Sequence, residues 1–181
     1  MGVDDGAFPP GQRAGQKAIL VAVLFEGIRI LTVRAARIQV DGRDANGVLA
    51  SMLKGMHFDG VILSGISFGG FNVIDIKKLS KATGKPVIAV TGEKPDNAAV
   101  KRALQAHFPD WRDRWHMVRA AGKLYSASPL KEEPMLYFEV AGASPRFART
   151  VIAATSKISR LPEPIRVAGI LARGLSGLRK A

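Results

Sequence analysis

The sequence predicts a single α/β domain, residues 1–181, built on a mixed sheet with flanking helices. Three observations predict it. Two β-branched runs come first with no helix between them, and later apolar runs alternate with stretches of helical period. No cysteine is present, so no disulfide framework substitutes for a core. The length of 181 residues is enough for one sheet covered on both faces.

Ala18 to Glu26 (AILVAVLFE) is an aliphatic run, and Ile28 to Val40 follows directly after Glu26-Gly27. In the second run Ile28, Ile30, Ile38 and Val40 are set against Arg29, Arg37 and Gln39, so the two read as an antiparallel hairpin. Asp41-Gly42-Arg43-Asp44 closes it, and Asp44 reads as the cap of a helix over 45–56 with the stripe Val48, Leu49, Met52 and Leu53. Val61-Ile62-Leu63 is a short strand of the kind buried on both faces. A loop over 64–70 follows, and a helix opens near Phe71 or Asn72 and stops at Gly84. Residues 86–90 form another buried strand. Pro95 and Asp96 start a helix through Ala106, and Pro109 begins a second that runs to Ala121, with Gly122 as its stop. Residues 135–140 make a last strand, and helices over 144–159 and 162–178 complete the chain. Residues 6–17 carry no period and read as a loop able to act as a flap.

The net charge is +12, and it is unevenly placed. Residues 1–100 carry 12 Lys/Arg against 9 Asp/Glu, whereas residues 101–181 carry 15 against 6. A basic face concentrates polyanions and favours phosphate contacts. DNA is the expected partner, with RNA left open; the competing reading is a merely solubilising surface. No stretch of roughly eighteen uncharged apolar residues exists to span a membrane. The segment Met1-Gly2-Val3-Asp4-Asp5 lacks the order of a signal peptide. The expected location is therefore cytoplasmic, and the oligomeric state is open.

In an open sheet, ligands gather beyond the carboxyl ends of the parallel strands. Asp4 and Asp5, Asp41 and Asp44, and Asp75 all fall at or near such ends. Converging carboxylates make a hard-oxygen site suited to magnesium or manganese. Each also has an ordinary reading: Asp41-Gly42 is a common turn pair, Asp44 a helix cap, and Asp75 a solvated helix residue. The segment Gly65 to Asp75 is the sharper signal. Its glycines Gly65, Gly69 and Gly70 allow close backbone approach, and the helix after it offers free N–H groups to an anion. It matches neither a Walker A loop nor a dinucleotide fingerprint. Gly69, Gly70, Phe71 and Asn72, with Arg43 from the preceding turn, are the candidate nucleic-acid contacts. Phe68 and Phe71 can stack on a base or pack into the core. Lys94, in the loop Thr91-Gly-Glu-Lys-Pro-Asp96, is placed to meet a phosphate or a leaving oxygen. His57, His107 and His116 have no metal-ligand spacing, and Trp111 and Trp115 read as helix packing.

Several of these strings recur together: Gly2-Val-Asp-Asp-Gly6, Val40-Asp-Gly-Arg-Asp44, Gly70-Phe-Asn-Val-Ile-Asp75, Lys85-Pro-Val-Ile-Ala-Val90, Lys94-Pro-Asp96 and Pro162-Glu-Pro-Ile-Arg-Val-Ala168. Through them the chain resembles, over nearly its whole length, the archaeal endonuclease dU family, which is similar to endonuclease V. The resemblance implies a ribonuclease H-like fold and metal-dependent cleavage of DNA at deoxyuridine, hence repair of deaminated cytosine. It implies Asp4 as a metal ligand aided by Asp5, and it places Lys94 near a strand-end lysine of endonuclease V. Ser64 stands where endonuclease V has a second catalytic aspartate, which leaves Asp41 or Asp75 to supply the missing charge. Members usually have more residues ahead of Gly-Val-Asp-Asp, so the expectation is either a first strand cut short or a true start that lies upstream. The expected site is thus magnesium or manganese on Asp4, Asp41 and Asp75, with Asp5 and Lys94 in support. Two alternatives stay open: a non-catalytic nucleic-acid-binding protein on the same fold, and a phosphate-binding enzyme using the glycine turn.

Overall fold

A computed structural model describes residues 1–8 and 15–177. Part of the expected flap, 9–14, lies outside the described residues. The chain runs β1 (Gly2–Asp5), β2 (Lys17–Glu26), β3 (Arg29–Gln39), α1 (Ala45–Leu53), β4 (Val61–Ser64), β5 (Ser67–Phe68), β6 (Asn72–Val73), α2 (Ile76–Thr83), β7 (Val87–Thr91), α3 (Asn97–His107), α4 (Trp111–Ala120), β8 (Tyr125–Ala127), β9 (Leu136–Ala141), α5 (Pro145–Thr155) and α6 (Glu163–Gly177). Seven strands form one sheet in the order β3-β2-β1-β4-β7-β9-β8. The expected hairpin is β2–β3, antiparallel, with its register shifting between Leu24 and Phe25.

The short opening strand is central rather than peripheral. β1 pairs antiparallel with β2 and parallel with β4, and β4 pairs parallel with β7. The parallel trio β1-β4-β7 therefore ends its strands on one rim, at Asp5, Ser64 and Thr91. Antiparallel β9 and β8 finish the sheet.

Alternation along the strands sorts side chains onto two faces. Val3, Leu20, Leu63, Val87 and Ala89 join Leu49, Met52, Ile76 and Leu79 of α1 and α2 in one core. On the opposite face Ile62, Ile88, Val90 and Phe138 pack with Ala148, Ile152 and Ile165 of α5 and α6. Val21 and Val23 of β2 meet Ala168 and Ala172 of α6 on that same face. Helices thus cover both faces, as a sheet apolar on both sides requires.

Several local features differ from the sequence reading. The segment after β4 is a small antiparallel hairpin, β5–β6, and α2 opens only at Ile76. Asp75 is the reason: its side chain accepts from the N–H groups of Lys77 and Lys78, both at 3.0 Å, and so fixes the start of the helix. Asp44 precedes α1 but makes no side-chain cap bond there. β8, only three residues long, is too short to leave a period.

Candidate active site

The site is assembled around the end of β1. Asp4 pairs with Val21 across β1–β2, and it lies one step beyond the Val3–Leu63 pair, beside Ser64 at the end of β4. By alternation Asp4 faces α6 and Asp5 faces the glycine hairpin. Helix α6 approaches β1 very closely because glycines line the seam. A Cβ on Gly2 would stand 2.1 Å from the Pro164 backbone carbon, and one on Gly6 would stand 2.4 Å from the Ala172 carbonyl oxygen. A Cβ on Gly169 would stand 2.3 Å from Asp4 Oδ2 and 3.0 Å from Arg173 Nη1. Only glycine at 169 leaves room for that carboxylate, and the same vacancy brings the Arg173 guanidinium to it.

Burial pushes the Asp4 carboxyl up to about 6. The opposing influences are the Asp5 N–H, which donates to Asp4 Oδ1 at 2.9 Å, a hydrogen bond from Ser64, and the charge of Arg173, while Asp5 itself pushes the carboxyl higher. Burial also raises Asp5, whose Oδ2 accepts from the Gly69 N–H at 2.6 Å and which likewise feels Arg173. Two half-buried carboxylates therefore stand at the rim of the central strand with less positive charge than they need. Two such carboxylates could serve as ligands of magnesium, which is commonly held by one or two carboxylates with water and substrate oxygens completing its shell.

The glycine hairpin is built from its backbone outward. Asp41 adopts a positive φ of 56°, and its N–H donates to the Gly69 carbonyl at 2.7 Å. Its Oδ1 accepts from the Phe71 N–H at 2.9 Å. Asn72 is fully buried: its Nδ2 donates to the Gln39 carbonyl and to Asp44 Oδ1, while its Oδ1 accepts from the Ala45 N–H. Asn72 thus supplies the bond at the start of α1 that Asp44 was expected to supply.

The expected aspartates do not come together. Among the described residues no three carboxylate or imidazole side chains are grouped closely enough to hold a metal ion. Asp75 is turned to the start of α2, with Lys78 Nζ 3.9 Å away. Asp41 clasps the Phe71 amide. The candidate nucleic-acid contacts also have partners within the chain. Asn72 is enclosed, Phe68 is a core residue, and Phe71 meets Phe108 edge-on at 5.5 Å. Arg43 pairs with Asp110 at 2.8 Å and Asp113 at 3.0 Å. Gly69 and Gly70 form the turn of the hairpin, and Lys94 is exposed in the loop after β7.

Sequence reasoning missed two arginines. Arg114 is buried, donates to the Gly42 and Phe71 carbonyls at 3.1 and 2.7 Å, and pairs with Asp110. It ties α4 to the turn after β3 and to the turn of the hairpin, and its only sequence signal was a basic residue on an otherwise apolar face. Arg173 had none.

The sheet order and the acidic rim define a ribonuclease H-like α/β domain, the fold shared with endonuclease V. A solved Ciona intestinalis endonuclease V in complex with inosine-containing DNA superposes with a TM-score of 0.61 at 14% identity, covering 99% of this chain and 84% of that one. Human endonuclease V gives 0.59 at 16% identity, with coverage of 99% and 84%. A crystal structure from Archaeoglobus fulgidus gives 0.84 at 27% identity over 96% of this chain and 95% of that one. The profile of the endonuclease dU family matches residues 1–176, and the chain belongs to that family. A UPF0215 protein of Thermococcus gammatolerans is 37% identical over 95% of this chain and 89% of its own length. One from Methanothermobacter thermautotrophicus is 38% identical over 97% and 86%. No helix among the described residues is long and apolar enough to cross a membrane.

Proposed function

We propose that the protein is a divalent-cation-dependent endonuclease that cuts DNA at deaminated bases such as deoxyuridine. The observation that carries this reading is the Asp4 carboxylate: half-buried, raised to about 6 by burial, and set beside Asp5 at the carboxyl end of the central strand. The family name and the DNA complexes of the endonuclease V structures support the substrate class.

Asp4 is the principal donor to the ion, with Asp5 the nearest second carboxylate. Magnesium or manganese, when bound there, would stabilise charge on a phosphodiester and acidify water. Ser64 holds Asp4 through its hydroxyl. Asp41 and Asp5 hold the hairpin at Phe71 and Gly69, so its turn keeps a fixed position beside the rim. Asp75 and Asp41 serve this frame rather than the ion. The basic second half of the chain holds the nucleic-acid backbone, and an extruded base is read near the rim, extrusion being easiest for a mispaired base.

Nicking of a uracil-containing duplex in the presence of magnesium or manganese tests the reading. Wild type should cut such DNA and spare its cytosine counterpart, and Asp4→Ala should lose activity by at least 100-fold. Equal inertness of both proteins with either ion would overturn it. Salt-sensitive DNA binding without cleavage would instead favour the non-catalytic alternative, for which the serine at 64 is the supporting observation.

A further inference from the structure

We infer that Arg173 is a phosphate-binding residue, placed by Gly169 to grip the non-bridging oxygens of the substrate phosphate at the Asp4–Asp5 rim. The inference rests on the functional reading above and names a residue that the sequence motifs leave out.

Three features carry it. First, position: Arg173 Nη1 and Asp4 Oδ2 converge on the same point over the Cα of Gly169. The guanidinium acts electrostatically on both Asp4 and Asp5. Second, commitment: the side chain is exposed, and among the described residues it makes no hydrogen bond and no ion pair within 4.0 Å. Other arginines of the chain behave differently. Arg114, Arg160 and Arg166 each donate two or more hydrogen bonds to protein acceptors. A guanidinium carries five N–H donors in a fork that matches phosphate geometry, and here the fork is open. Third, the backbone has been shaped for it. Gly2, Gly6 and Gly169 all stand where α6 crosses β1, so the helix bearing Arg173 packs directly on the strand that carries the acidic pair.

A simple counter-ion would sit in contact with the carboxylate. Arg173 acts on Asp4 and Asp5 only through its charge, so its N–H donors remain available to a phosphate oxygen. When phosphate is absent, its charge lowers the cost of burying Asp4 and Asp5. When phosphate enters, the fork turns to the substrate oxygens, which bear the charge that grows during displacement.

The test compares wild type with Arg173→Gln and Arg173→Lys in two measurements. Calorimetric titration of inorganic phosphate is made with and without saturating manganese, and manganese affinity is measured beforehand on each protein. The expected result is phosphate affinity at least 10-fold weaker in Arg173→Gln, partly kept in Arg173→Lys, with manganese affinity unchanged or tighter in both. In nicking assays Arg173→Gln should lose about 100-fold in kcat, the usual loss for one donor to a developing charge. Unchanged phosphate affinity, or manganese affinity lost in step with it, would overturn the inference, because the arginine would then be a structural counter-ion. If wild type binds phosphate through Arg173 yet cuts no DNA, the nuclease reading fails and the phosphate site stands. If wild type cuts uracil-containing DNA and Arg173→Gln does so equally, the reverse holds.

Discussion

A Cβ at Gly70 would lie 2.3 Å from Asp41 Oδ1, inside any permitted contact. Gly70 and Asp41 are therefore made for each other: both carry positive φ, 84° and 56°, and the carboxylate occupies the space that a side chain would fill. From there Oδ1 reaches the Phe71 N–H.

Gly70→Ala should consequently do two kinds of damage. It imposes left-handed strain, and it expels the Asp41 carboxylate from its bond. A loss of about 2 to 3 kcal/mol in chemical unfolding is expected, at the high end for a surface turn. Gly47→Ala, in α1 with open space around it, is the control and should be neutral or stabilising. Equal behaviour of the two variants would refute the packing argument.

Asp75 and Asp4 separate a frame role from an ion role. Asp75→Ala removes the cap of α2 and should cost about 1 kcal/mol of stability. Manganese affinity, read by calorimetry, should stay within about twofold of wild type, since the carboxylate points at Lys77 and Lys78 amides. Asp4→Ala should abolish measurable affinity while leaving the fold intact. A large affinity loss in Asp75→Ala would restore the sequence expectation that Asp75 is a ligand.

Much of this was legible in the sequence because periodicity and caps report local structure. The β2–β3 hairpin, the buried strands β4 and β7, and the order of helices follow from runs and breakers. The Gly2–Gly6 and Pro162–Ala168 strings stood out separately, and the structure shows why both are marked: β1 and α6 are in contact along them, Gly2 lying on Pro164. What was hidden is what side chains choose among equal options. An aspartate before a helix is a cap or a ligand by spacing alone, and the Asp44 side chain makes no cap bond, receiving instead the Gln39 and Asn72 N–H groups. Asn72 looked like a loop contact because burial of a polar residue is decided by partners 27 and 33 residues away. Arg173 is separated from Asp4 by almost the whole chain, and no spacing rule spans that distance.

Glu139 offers a pH signature. Burial holds its carboxyl at about 7 in place of the ordinary 4.5, and its own backbone N–H is the one opposing influence. A folded-state value above the unfolded one means the native protein binds the proton more tightly. Stability should therefore fall as pH rises from about 4.5 through about 7, and the full cost is present above that window. Glu139→Gln removes the ionisation. It should be more stable than wild type at pH 8 by roughly 2 kcal/mol, and nearly equal to it at pH 5. Denaturant melts at the two pH values decide the matter; an advantage of the same size at both would mean that packing, not charge, is responsible.

Ser64→Asp asks whether the rim will accept the second carboxylate that the resemblance to endonuclease V leads one to expect at that position. Ser64 ends β4 beside Asp4, is half-buried, and donates to that carboxyl. Replacing it with aspartate removes a donor and adds a like charge to a carboxylate already raised by burial. Without a divalent ion the variant should lose about 1 to 3 kcal/mol and push Asp4 further up. Manganese changes the sign, because an ion that binds only the folded state stabilises by RT ln(1 + [L]/Kd), about 2.7 kcal/mol at a hundredfold excess over Kd. Melting in chelator and in excess manganese should therefore show the variant below wild type in the first and level with or above it in the second. Were the variant destabilised equally in both, Asp4 and residue 64 would not share an ion, and the cation would have to be sought on the Asp5 side of the strand.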